Sequence, residues 1–212
     1  MYVYKKAIME DLLAPILKSI NPKALIDELS ERWAAEQQKR HQFWAAVDEN
    51  RKAEFIEGKI IYHSPVYGRH WMISTKLLTR LLPFVEQHDL GKVGCEKVMI
   101  RCTRNDYEPD ICFWKKEIAD RFQPLQSAFP PPNFIIEILS SSTEHRDRGI
   151  KFMDYALHGV EEYWIIDPEA MSIEQYSLNS ASQYELQAKA THGEIKSNVI
   201  IGFNLPVEAI FK

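Results

Sequence analysis

Two acidic residues stand where ordinary folding gives no reason for an acid. Glu137 interrupts the run NFIIEILSSST, residues 133–143, in which Phe134, Ile135, Ile136, Ile138 and Leu139 are apolar on both faces of an extended segment. That is the pattern of a strand covered on both sides. An ionised carboxylate inside such a strand is costly unless it is paired or bound to a cation. Asp110 follows Pro109 at the start of a second apolar run, ICFW. If the two strands are neighbours, both side chains meet at one end of a sheet and share a hard divalent cation, Mg2+ or Mn2+, whose preferred ligands are carboxylate, carbonyl and water oxygens. Such a pair suits phosphodiester hydrolysis, in which the cation stabilises charge on the phosphate and lowers the pKa of the attacking water. An ammonium beside it would hold that water and neutralise the developing charge.

The surrounding residues have plainer alternatives. An Asp after proline at a strand start is often only a turn former bonded to its own backbone. His70, near the start of a helical pattern, fits a capping or packing histidine as well as an assisting one. Ser140, Ser141, Ser142 and Thr143 either cap the following helix or cradle a phosphate at its N-terminus. Arg146 and Arg148 add positive charge there, suited to a DNA backbone or to a solvated face.

The elements that would position these groups follow from periodicity and turn signals. Residues 1–45 read as a helical arm, with Pro22 in a first helical turn after Asn21 and Leu25, Ile26, Leu29, Trp33 and Ala34 at helical spacing. AEFIEGKIIYHSP alternates and turns at Glu57-Gly58, a tight hairpin. RHWMISTKLLTRLLPFVEQHDLG is helical, with Pro83 predicted to kink or break it. KVGCEKVMIRC, EPDICFW and NFIIEIL read as strands, DRGIKFMDYALHG as a helix closed by Gly159, and VEEYWIID as a strand. MSIEQYSL and QYELQAK form a late hairpin. The expectation is an α/β (α+β) fold, a mixed central sheet flanked by helices over residues 46–212, with the helical extension in front.

With 212 residues the chain suffices for one well-filled domain and an appendage. Its 45% hydrophobic and 26% charged residues exclude a disordered chain, and a net charge of −4 argues against a basic nucleic-acid wrapper. Three cysteines, Cys95, Cys102 and Cys112, without C-x-x-C spacing point to reduced packing residues. With neither a leader pattern nor a long apolar run, the expected location is cytoplasmic, with no membrane partner.

Pro109-Asp110 followed by Glu137 resembles the PD-(D/E)XK nuclease superfamily, although the position two beyond Glu137 is Leu139 rather than lysine. The longer series EFIEGKIIYHSP, His70, EPDICFW, IIEILSSST and RDRGIKFMDYALHGVEEYWIIDP, with the closing hairpin, is similar to the Uma-type restriction endonuclease family, a branch of that superfamily. There the strand carries E-x-L-S, and the lysine is moved to the following helix, matching Lys151. The resemblance implies a restriction-endonuclease-like fold and a Mg2+-dependent endonuclease acting on DNA as a homodimer. Asp110 and Glu137 would be metal ligands, Lys151 would activate water, and Glu57 would be an assisting acid. Helical geometry permits this: Ile150, Met153 and Leu157 are predicted to face the sheet, with Lys151 one step around and Tyr155 flanking it. On this reading alanine at Asp110, Glu137 or Lys151 removes activity and leaves the fold intact. Two other readings remain open: an inactive nuclease fold serving as a binding module, and a scaffold in which Glu137 is simply paired with Lys151 or an arginine.

Overall fold

The computed structural model describes residues 2–48 and 51–212, with side chains from residue 10 onward. Helices α1 (Tyr2–Leu17) and α2 (Pro22–Ala46) come first. The Asn21 side chain accepts from the Ala24 amide at 3.2 Å, and Pro22 takes the first helical position, where its missing N–H costs nothing. Leu25, Ile26, Leu29 and Trp33, the stripe read from the sequence, stay exposed. The last turns of α2 dock instead. Phe43 is buried against Phe55, and the Arg40 guanidinium donates to both carboxylate oxygens of Asp106 at 2.7 Å.

The body holds two mixed sheets. The smaller runs β2 (Lys59–Tyr62), β1 (Ala53–Ile56), β5 (Asp106–Tyr107), β4 (Met99–Arg101) and β7 (Ala128–Phe129). Ile56 pairs with Lys59, so Glu57-Gly58 is a two-residue turn, with φ of 49° and 76°. Two consecutive positive φ values favour glycine in the second position and give the twist that joins short strands. The larger sheet runs β11 (Tyr184–Ala190), β10 (Ser172–Leu178), β9 (Glu162–Asp167), β8 (Phe134–Ile138), β6 (Ile111–Lys115) and β3 (Gly91–Cys95), with β8 and β9 parallel and the other pairs antiparallel. A hairpin of β12 (Glu194–Lys196) and β13 (Asn204–Pro206) closes the chain with α7 (Glu208–Phe211).

KVGCEKVMIRC, read as one strand, is divided between the sheets. Glu96 turns the chain at φ 57°, its amide donating to the Asp110 carbonyl at 3.0 Å, and β3 and β4 leave in different directions. Helix α3 (Gly68–Gln87) runs unbroken through Pro83, contrary to the expected interruption. Leu81 and Val85, fully buried on either side of the proline, hold that part of the helix on the core face. A short α4 (Lys116–Ala119) follows β6, and α5 (Glu144–Asp147) and α6 (Ile150–Leu157) follow β8.

Strand β8 is buried along its whole length, as its two-faced apolar pattern requires. Phe134, Ile136 and Ile138 pack with the α3 residues Ile73, Leu77 and Leu81. Ile135 and Leu139 face the opposite cluster, with Tyr155, Val160 and Tyr163. Side chains alternate along a strand, so Glu137 falls on the second face, toward α6.

Candidate active site

The two acids meet because of strand register. Ile111 of β6 pairs with Ile136 of β8 in antiparallel fashion, which sets Asp110 beside Glu137 at the strand ends. The Asp110 amide donates to Glu137 Oε2 at 3.3 Å, and the Ile138 amide donates to Asp110 Oδ2 at 2.9 Å. Lys52 Nζ lies 3.1 Å from Asp110 Oδ1, and His70 Nε2 lies 2.9 Å from Oδ2.

Behind them sits Lys151, 2% exposed, and α6 is turned differently from its apolar spacing. Met153 and Leu157, predicted to face the sheet, are exposed, whereas Lys151, Asp154, Tyr155 and Ala156 are buried. The buried face carries Tyr155 and Ala156, with Phe152 packed against Tyr163, Tyr176 and Tyr184, and on the same face Lys151 Nζ lies 3.0 Å from Glu137 Oε1, 3.0 Å from Glu54 Oε1 and 3.3 Å from Asp147 Oδ1. Tyr155 donates to Glu137 Oε1 at 2.9 Å. Glu54 also accepts from the Glu108 amide at 2.9 Å, and its Oε2 lies 3.0 Å from His63 Nε2.

These groups line a cleft of about 250 Å3 that includes Lys52, His63, His70, Asp110, Glu137 and Lys151, with Ser140, Arg146 and Asp147 on its rim. The structure thus gathers Asp110, Glu137, Lys151, His70, Tyr155, Ser140 and Arg146. It does not bring in Glu57, which tops the hairpin turn with an exposed carboxylate 3.9 Å from Arg104. The acid that takes that place is Glu54, three residues earlier, whose side chain points inward from β1. Arg148 also turns away, bonded to Glu174 at 2.6 Å and Glu144 at 3.0 Å. Among the described residues, a group of three metal-type side chains with ligand atoms within 4.8 Å of one another, Cys102, Asp154 and His158, lies apart from this cleft. There Asp154 is already engaged by Asn105, Tyr107 and His158, and burial and then the acids Asp154 and Asp106 push the Cys102 thiol up, so the group serves packing.

Glu54, Lys52, Asp147 and His63 escaped the sequence reading. Glu54 and Lys52 gave little signal: all four residues of β1 are buried, so no alternation marks Glu54 as inward, and Lys52 precedes the strand. Asp147 opens the stretch read as a helix and His63 follows the hairpin's second strand, and at such element ends only the tertiary fold decides direction.

The environments of the two leading acids are opposed. Burial favours the neutral form of Asp110, yet the ammonium of Lys52 and the His70 bond outweigh it and hold the carboxyl well below its usual range. Burial dominates at Glu137; Lys151 counters it, the negative charges of Asp147 and Asp110 add to it, and the group is pushed up to about 8. Burial likewise raises Asp147 against the pull of Lys151. Glu54 is buried too, but Lys151 and His63 bring it down to about 2. For His70, burial works against the charged ring, and the Asp110 bond reverses that to a net rise.

The linkage has a definite sign. An acid whose folded pKa is raised retains in the native state a proton that the unfolded chain releases, so stability falls as pH rises from its ordinary value to the raised one. For Glu137 that window runs from 4.5 to about 8. Asp147 acts in the same direction, and His70, raised, loses its contribution as pH climbs above its ordinary 6.5. Glu54 and Asp110, both lowered, alter stability only on the acid side of that window. Urea unfolding in EDTA is therefore expected to give a less stable protein at about pH 8 than at about pH 5.5. A flat or rising profile would contradict this charge assignment.

Two mixed sheets flanked by helices, with Asp110, Glu137 and Lys151 of α6 gathered at one cleft, make an α/β fold with a charged site. The fold matches a crystal structure described as a "putative nuclease belonging to DUF820" from Anabaena variabilis, with a TM-score of 0.69 at 19% identity, over 80% of this chain and 94% of that one. Residues 36–208 match the model of Uma2, described as "Putative restriction endonuclease", and the chain belongs to that family. A relative in Synechocystis, "Uncharacterized protein slr1290", is 25% identical over 168 residues, 77% of this chain and 85% of that protein. Most of α1 and α2 lies before the family match. No helix among the described residues is long and apolar enough to cross a membrane.

Proposed function

We propose that this protein is a divalent-metal-dependent endonuclease that hydrolyses phosphodiester bonds of DNA. The observation that carries the reading is the charge at a solvent-open cleft: Asp110, Glu137 and Asp147 line it together with the Lys52 and Lys151 ammonium groups, and the buried Glu54 backs Lys151 from behind. The acids offer hard oxygen donors, suited to Mg2+ or Mn2+, and Asp147 Oδ1 is buried with no hydrogen-bond partner besides its ion pair with Lys151 at 3.3 Å. Asp110 and Glu137 are the residues that would hold the ion. When bound, such an ion neutralises phosphate charge and acidifies a water.

The chain's own groups do the rest. Tyr155 and Lys151 fix Glu137 Oε1, and His70 fixes Asp110 Oδ2, so neither carboxylate has to reorganise. Lys151 holds the attacking water or the phosphate oxygen at the inner end of the cleft. Ser140 and Arg146 at the rim meet the flanking backbone. Two copies would be needed to cut both strands of a duplex.

The rival reading, an inactive nuclease fold used as a binding module, draws on the Lys52 ammonium, which already occupies Asp110 Oδ1 at 3.1 Å. Titration calorimetry with Mg2+ and Mn2+ separates the two. The wild type is expected to bind, and the Glu137→Ala protein is not. Absence of binding to the wild type would leave Lys52 and Lys151 as the permanent partners of these acids and favour the module.

A further inference from the structure

Two ammonium groups serve the acids of the cleft, and they are held differently. Lys151 Nζ is enclosed by Glu54, Glu137 and Asp147, all within 3.3 Å and all buried, and its own side chain is 3% exposed. Lys52, just ahead of β1, has a side chain 16% exposed and sits 3.1 Å from Asp110 Oδ1. Its next acid is Glu96, with Oε2 at 4.0 Å on a side chain that is 44% exposed. The two acids are tied together, since the Glu96 amide donates to the Asp110 carbonyl at 3.0 Å. The Lys52 ammonium therefore has two seats, an inner one on Asp110 and an outer one on Glu96, whereas the partners of Lys151 all lie inside.

The inner seat matters because of which carboxylate oxygens have lone pairs left. Asp110 Oδ2 faces His70 and the Ile138 amide, and Glu137 Oε1 faces Lys151 and Tyr155. A cation shared by these acids is left with Asp110 Oδ1 and Glu137 Oε2, and Lys52 stands on the first of them. Burial works against the Lys52 charge, yet Asp110 and then Glu137 outweigh it and raise the group, so the ammonium serves the same two acids that would hold the ion. We infer that Lys52 is an exchangeable counter-ion of the site: a divalent cation displaces it from Asp110, and the ammonium moves outward to Glu96. The exchange leaves Asp110 compensated before and after, as a buried carboxylate requires, and the ion pair that must open sets the affinity for the metal. The inference rests on the nuclease reading and adds to it the residue that competes with the ion.

The test is titration calorimetry with Mg2+ and Mn2+ on the full chain, its Lys52→Met and Glu96→Gln variants and the double variant, with melting curves in EDTA showing that each is folded. Lys52→Met is expected to bind the ion about five-fold or more tightly than the wild type, because no ion pair has to open first. Glu96→Gln removes the outer seat and is expected to weaken binding by about three-fold in the wild type and to have no effect in the Lys52→Met background, the mark of two residues acting through one step. If Lys52→Met does not fold, Lys52→Gln, which keeps a donor and loses the charge, takes its place. Unchanged or weaker binding by the Lys52 variant, or an equal loss from Glu96→Gln in both backgrounds, would overturn the inference and leave the nuclease reading standing. No binding by the wild type or by any variant would overturn both.

Discussion

Alanine at Lys151 destabilises the metal-free protein by about 3–5 kcal/mol, the usual result of removing one partner from a buried charge cluster. The ammonium is 2% exposed and lies within 3.3 Å of Glu54, Glu137 and Asp147, so its loss removes a cation that three buried acids share and leaves Glu54 to His63, at 3.0 Å. For a chain of this size that corresponds to a fall in melting temperature of roughly 6–20 °C. The sequence places Lys151 one step around from the buried face, with its alanine variant expected to keep the fold; the burial of the side chain adds the expectation of a stability cost. Mg2+ restores part of the lost stability in the variant, because a cation near Glu137 and Asp147 takes over some of the missing charge and binds the native state alone. Urea unfolding of both proteins with and without Mg2+ measures this. A variant within about 1 kcal/mol of the wild type would show that Lys151 does not hold the cluster together.

What could be read from the chain and what could not divide along a physical line. Strand β8 announced itself because a doubly covered strand needs apolar side chains on both faces, and the acid within it was visible for the same reason. The Glu57-Gly58 turn was legible from local chemistry, since Gly58 requires its positive φ whatever the tertiary structure. The orientation of α6 was not. The apolar residues of 150–157 allow two faces, one with Met153 and Leu157 and one with Phe152, Tyr155 and Ala156, and the choice of the second lies in tertiary partners, the aromatic rings around Phe152 and the carboxylates around Lys151. Glu54 was passed over for Glu57 because both are acids of one hairpin; only the inward direction of β1 tells them apart. Pro83 misled in the other direction: the core contacts of Leu81 and Val85 override a local breaker.

Glu137→Gln and Asp110→Asn share one consequence and differ in another. Each removes a carboxylate from the proposed ion site, and each is expected to lower the cleavage rate by at least about 100-fold, within the range for losing a single charge-stabilising group. Their effects on folding diverge. In the metal-free protein burial favours the neutral form of Glu137 and its acidic neighbours add to this, pushing the group up to about 8. A neutral amide in its place changes little, and stability stays within about 1 kcal/mol of the wild type. Asp110 is held ionised by Lys52 and His70, and an amide there deprives the partly buried Lys52 ammonium of its nearer carboxylate, at a cost of about 2 kcal/mol or more. Cleavage assays and urea unfolding in EDTA on the two proteins expose the difference. Equal destabilisation by both would refute the opposed environments; full activity in Glu137→Gln would remove this carboxylate from the reaction. Sites that carry out acid and base chemistry at one pH rely on such pairs, one acid kept charged by its neighbours and the other kept neutral until a cation arrives. In this fold the difference arises from the strand register that sets Asp110 toward Lys52 and His70, and Glu137 toward Lys151 and two further acids.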